Sequence, residues 1–201
     1  MCRGTLWVAA ALTLCILCIL AIVPARGSGM TLVPFGSPHR YTTLRCEAAY
    51  QPGCVPQDVY STGYNDSAWP LGSAPFGQPD TLCVTVPVVT GWDSPDQTIV
   101  TRTWINLPTG FSNVVVHTRV AGCCILFCPN GVFIGSNETG YQPCPWHASD
   151  MDVTSSCHAG ANLILLVAGT YGWRYLDISV TADLPTSIHN VSWGRLRTLY
   201  R

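Results

Sequence analysis

The chain contains no lysine; its ten basic residues are all arginine. Charged residues make up 10% of it, well below the roughly 25% of ordinary domains. Without residues 1–27, eight basic side chains face eleven acidic ones, a net of −3. That balance leaves no electrostatic footprint for nucleic acid. A surface so poor in charge needs glycans or partners to stay soluble. Helical periodicity is nearly absent, and so are internal repeats and low-complexity linkers. Missing too are Gly-x-Ser-x-Gly, Gly-x-Gly-x-x-Gly, a phosphate loop and His-Glu-x-x-His. These absences remove nucleophile-elbow hydrolases, dinucleotide enzymes, phosphate-loop enzymes and zincins.

What is present begins with an apolar run of 19 residues, 5–23, preceded by Arg3 and followed by small residues around Ala25 and Gly27. This is the order of a signal peptide, with cleavage expected between Ala25 and Met30. An uncleaved anchor is the alternative, since about 20 residues span a bilayer. Either way the rest of the chain enters an oxidising lumen, for secretion or for display on a cell or virion surface. The membrane is engaged only through this segment if it stays.

Three of the eleven cysteines lie in the leader. The other eight are Cys46, Cys54, Cys83, Cys123, Cys124, Cys128, Cys144 and Cys157, an even number that reads as a disulfide framework. Local pairing is expected for Cys46 with Cys54 and for Cys144 with Cys157. Cys123 and Cys124 should then find different partners, with Cys83 and Cys128 as the remaining candidates. Three glycosylation sequons, at Asn65, Asn137 and Asn190, agree with a secretory route.

Short runs rich in β-branched and aromatic residues, separated by Gly, Pro, Asn and Asp, indicate an all-β sandwich or barrel. Strands are expected at 82–89, 99–106, 113–120, 124–127, 132–134, 163–168 and 175–181. Asn130-Gly131 is a strong hairpin signal, because both central positions of such a turn need positive φ.

The tract Tyr64-Asn65-Asp66-Ser67-Ala68-Trp69-Pro70-Leu71-Gly72-Ser73-Ala74-Pro75-Phe76-Gly77 has a polar turn, a Trp anchor and two glycines expected to adopt unusual backbone angles. It resembles the tract that opens many galactose-binding-like β-sandwich modules. The likeness continues in order through Thr101–Pro108, the 122–135 hairpin, residues 160–167 and residues 175–180. It implies a single jelly-roll, antiparallel, disulfide-stapled sandwich over 60–183. Residues 1–27 are then the leader, 28–59 an N-terminal extension with a Cys46–Cys54 loop, and 184–201 a tail. Gly122-Cys123-Cys124 stands where family members often carry acids, so no family ligand residue is carried over there.

The resemblance also implies a structural Ca²⁺, for which Asp150 and Asp152 supply oxygen ligands; no other cofactor is expected. Zinc at Cys144-x-x-His147 or Cys157-His158 loses to disulfides in a secreted chain. A glycosidase needs two carboxylates across the scissile bond. Asp93/Asp96 and Asp150/Asp152 are the acidic pairs close in sequence, and both sit in turn-like loops. His117 and Trp104 read as structural strand residues, and Trp69 as the anchor of its tract.

Aromatics in loops are the better binding candidates, because a ring offers a flat apolar face and a polar edge. Tyr171, Trp173 and Arg174 in the segment 169–174, with Trp92 and Trp146, form the expected binding face at one sandwich end. The resulting expectation is a non-enzymatic glycoprotein module binding glycan or an extracellular protein through sandwich-end loops. A structural assembly glycoprotein docking through its tail is the alternative, and a glycoside hydrolase comes third.

Overall fold

The computed structural model describes residues 29–46, 54–78, 86–92, 97–138 and 147–185; the side chains of 97, 122–124, 138 and 171–173 lie outside that description. Ten strands account for most of it: β1 (Gly29–Val33), β2 (Pro38–Arg45), β3 (Leu71–Ser73), β4 (Phe76–Gly77), β5 (Thr90–Gly91), β6 (Gln97–Leu107), β7 (Ser112–Phe127), β8 (Gly135–Glu138), β9 (His147–Asp152) and β10 (Gly160–Asp183). No α-helix occurs among the described residues, and none of their helical turns is long and apolar enough to cross a membrane. Every ladder is antiparallel except the short β4–β5 pair.

The fold is a β-sandwich organised by β10. Its first half pairs with β6, from Gly160 opposite Leu107 to Gly169 opposite Thr98. Its second half pairs with β1 and with the first half of β7. Between them the β7–β10 register jumps: Thr170 faces Cys123, yet Tyr175 already faces Ala121. Residues 171–174 therefore form a wide bulge, the device by which a strand bends from one layer of a sandwich into the other. One layer carries β3-β2-β6 and the first half of β10; the other carries β1, the second half of β10, the first half of β7, and β9.

Side-chain alternation along β10 explains the core. Ile164, Leu166 and Ala168 enter the main cluster from one layer, and Leu176, Ile178, Val180 and Ala182 enter it from the other. The intervening Leu163, Leu165 and Val167 point outward, yet they too are buried, under residues 54–69. This is why 163–168 reads as an unbroken apolar run: a strand covered on both faces loses its alternation.

Several expectations are revised. Residues 28–59 contribute β1 and β2, so the sandwich begins well before residue 60. The segment 132–134 is a connection rather than a strand, and β8 starts only at Gly135. Of 82–89, residues 86–89 are not strand, and 82–85 lie outside the described residues. Gly72 and Gly77 owe their presence to close approach rather than to unusual angles. A Cβ on Gly77 would lie 2.4 Å from the Arg174 carbonyl oxygen, and one on Gly72 2.6 Å from the Tyr41 ring. Asn130 and Gly131 do take positive φ, at 49° and 80°, as their turn requires.

Cys46 and Cys54 form the expected local disulfide. Cys128 and Cys157 are free thiols, the first buried. Cys83 and Cys144, and the side chains of Cys123 and Cys124, lie outside the described residues.

Candidate functional site

Of the expected binding face, the structure describes the side chains of Arg174 and Trp92. Residues 169–174 are the interior of β10, not a loop. Arg174 is buried, and its Nη1 donates to the Trp92 carbonyl at 3.0 Å. Trp92 is 0% exposed and belongs to the main core. Arg174 and Trp92 are thus brought together, but in the interior, where they clasp β4 and β5 against β10. The side chains of Tyr171 and Trp173, and all of Trp146, lie outside the described residues.

Asp150 and Asp152 do not fit a calcium site. Both lie on β9 rather than in a loop. Asp150 Oδ1 is 2.7 Å from His117 Nδ1. The Asp152 carboxylate accepts from the Thr154 N–H at 2.9 Å, and hydrogen bonds from Thr154 hold its pKa below the usual carboxylate range. Among the described residues no three His, Cys, Asp or Glu side chains gather as a metal site.

His117 Nε2 also meets Thr181 Oγ1 at 2.8 Å, completing an acid–imidazole–hydroxyl row across β9, β7 and β10. It has the order of a nucleophilic triad but not the setting. Thr181 sits mid-strand, its residue paired on both sides, with Thr31 and with Val115. Beside it, Asp177 is buried, accepts from the Gly36 N–H at 3.1 Å and lies 3.8 Å from Arg119. Burial pushes its carboxyl up, opposed by those partners. These groups tie β1, β7, β9 and β10 together.

A concavity among the described residues that can receive a ligand lies on the other layer. Residues 54–69 cross the outer face of β6 and β10, resting Val55, Val59, Tyr60, Tyr64 and Trp69 on Leu163, Leu165 and Val167. Arg102 of β6 holds them there. Its Nε donates to Asp66 Oδ2 at 2.9 Å, and its Nη atoms donate to the carbonyls of Val59 and Ser61. Asn65 Oδ1 accepts from the Ser67 N–H at 3.1 Å, forming the expected polar turn. Against this segment stands the Asn130-Gly131 turn. Asn130 Nδ2 donates to the Ser156 carbonyl at 2.7 Å and to Asn162 Oδ1 at 2.9 Å, and its Oδ1 accepts from the Leu163 N–H at 2.8 Å. Gly131 touches Tyr60 so closely that a Cβ there would lie 2.2 Å from the Tyr60 carbonyl oxygen.

Between the two walls is an open hollow of about 280 Å³, lined by Gln57, Tyr60, Leu126, Cys128, Gly131 and Phe133. Burial pushes the Cys128 thiol up to about 12, and burial, then the neighbouring Cys128, raises the Tyr60 phenol. Both stay neutral at physiological pH. Phe133 stands 59% exposed at the rim. The hollow thus offers a ring face, an amide, a phenol and an apolar floor on rigid supports, a composition suited to small polar ligands with apolar faces. Sequence reading missed it, because Phe133 looked like a strand residue, Gln57 lay in the presumed extension and Tyr60 only opened the expected sandwich.

No protein-family model matches the sequence, and no curated protein does. Solved structures do match. The chain is similar to a β-glucuronidase of Bacteroides uniformis, 18% identical with a TM-score of 0.52, over 77% of this chain and 18% of that one. It is also similar to Bacteroides uniformis β-glucuronidase 2, solved covalently bound to cyclophellitol-6-carboxylate aziridine. There the identity is 18% and the TM-score 0.50, over 77% of this chain and 18% of that one. At such identity the likeness is one of fold. The chain spans between 18% and 30% of the length of glycosidase chains of this kind.

The expectation of a non-enzymatic module acting through sandwich-end loops, with an assembly role as its alternative, is therefore corrected. Its loop is a strand interior, and the solved structures named above are β-glucuronidases.

Proposed function

We propose that this chain works in glycoside hydrolysis, as a galactose-binding-like β-sandwich that holds saccharide in the hollow between residues 57–60 and 126–133. The observation that carries the reading is the lining of that hollow: an exposed Phe133 ring for a sugar's C–H face, with Gln57 and Tyr60 for its hydroxyls. The sandwich shared with β-glucuronidases supports it, as does the ordered set of galactose-binding-like motifs.

The acid and base for bond cleavage come, in this reading, from a catalytic unit outside the described residues. Glycosidase carboxylates stand about 5–5.5 Å or about 6.5–9.5 Å apart and shift one another's pKa. Here Asp66 is engaged by Arg102, Asp150 by His117, Asp152 by Thr154, Asp177 by Gly36 and Arg119, and Asp183 by Asn113. The causes that shift Asp152 and Asp177 include no second carboxylate. A secretory location belongs to the same proposal. It is supported by the leader, by the Cys46–Cys54 disulfide and by the exposed Asn65 in its polar turn.

The test is hydrolysis of chromogenic β-glycosides by native protein, isolated with any catalytic unit bound or fused to it. The expected result is turnover, with Phe133→Ala raising KM and leaving kcat unchanged, the signature of lost uniform binding. Native material inert towards the whole panel would overturn the reading.

A further inference from the structure

The ligand chemistry of the hollow can be narrowed. We infer that it takes an uncharged pyranose and rejects a uronate, an inference that rests on the saccharide reading above. With a volume of about 280 Å³, the hollow sits at the small end of ligand sites, which run from about 300 to 1,000 Å³. It has room for one ring rather than for an extended glycan.

A sugar carboxylate needs a cation or a row of free N–H donors where it binds. Among the described residues no cation lines the hollow. No arginine is among its lining residues, and the chain has no lysine. Arg102 fixes the Gln57–Tyr60 wall from its buried position on β6. Its side chain is wholly buried, and its donors are spent on Asp66, Val59 and Ser61. Arg40 donates to the Trp69 carbonyl, Arg119 lies against Asp177, and Arg174 donates to the Trp92 carbonyl.

The titratable groups that line the hollow are neutral: the Cys128 thiol and the Tyr60 phenol are kept protonated by burial. A uronate would enter with no lining cation to replace its water. An uncharged ring loses nothing there. Its hydroxyls meet the Gln57 amide, which both donates and accepts, and its C–H face meets Phe133.

The experiment uses the full 201-residue chain. Methyl β-D-glucopyranoside and methyl β-D-galactopyranoside are each titrated beside the corresponding methyl glycoside uronate, by ligand-observed NMR at physiological salt. At least one neutral glycoside should bind, its uronate about tenfold or more weaker, and Phe133→Ala should abolish the signal. Gln57→Arg, at an exposed position, should narrow or reverse the preference. A uronate that binds as tightly as its neutral partner overturns this inference and leaves the saccharide reading standing. Binding of none of the four probes overturns both.

Discussion

Asp66 Oδ2 accepts from Arg102 Nε at 2.9 Å, and this pair helps hold residues 54–69 on the outer face of β6 and β10. Asp66 belongs to the opening tract and Arg102 to a strand 36 residues on. Removing the carboxylate leaves a buried guanidinium with only carbonyl partners. Asp66→Ala should cost about 3 kcal/mol, towards the lower end for a broken buried pair. Urea unfolding should show a lower midpoint at an unchanged slope.

Gly131 is the second fixed point of the hollow. Its φ of 80° is left-handed, and its α-carbon abuts Tyr60. Gly131→Ala meets both penalties at once and should destabilise by about 2 kcal/mol or more. Because the clash is with backbone, the two walls must also part. Thermal unfolding should show the loss, and neutral glycoside binding should fall with it.

Trp92 and Phe133 should behave as opposites. Trp92 is core, so Trp92→Ala should cost about 3–5 kcal/mol. Phe133 is a rim residue, so Phe133→Ala should stay within about 0.5 kcal/mol of the parent and yet lose saccharide. Paired denaturation and binding measurements separate the two roles. A stable Trp92→Ala chain with impaired binding would restore the ring to the ligand face.

Acid should weaken the fold through His39. It is buried on β2, its Nδ1 meets the Thr103 hydroxyl, and burial depresses its pKa to about 4. In the unfolded chain the imidazole titrates near 6.5, so as pH falls the unfolded state takes up the proton first. The stability linked to neutral His39 is complete above about pH 6.5 and is lost progressively down to about pH 4, amounting to about 3 kcal/mol. Chemical denaturation across that window should show the slope, and His39→Gln should remove it.

Much of the fold is legible in sequence because its signals are local. The Asn130-Gly131 turn demands positive φ, and the structure supplies it. Cys46 and Cys54 are close enough in the chain to find each other. Period-2 alternation locates β6 and most of β7. The failures are non-local. Gly169 and Gly172 around Tyr171 look like a loop, but the ladder with β6 and β7 carries β10 through them as a bulge. Trp92 and Trp104 exchange roles for the same reason. Trp104 points outward from β6 and is 47% exposed, while Trp92 is drawn inside by β4 and Arg174. Alternation shows that neighbouring side chains face opposite ways; what covers each face depends on distant segments. The hollow is the extreme case, since its walls come from segments about 70 residues apart, joined by contacts such as Gly131 on Tyr60 and held by Arg102 and Asp66.

The most direct measurement of the central claim is a map of amide chemical-shift changes when the full chain is titrated with a neutral methyl β-glycoside. The expected result is a set of shifts confined to residues 57–60 and 126–133, lost in Phe133→Ala. Shifts centred on 171–174, or no shifts at all, would contradict it.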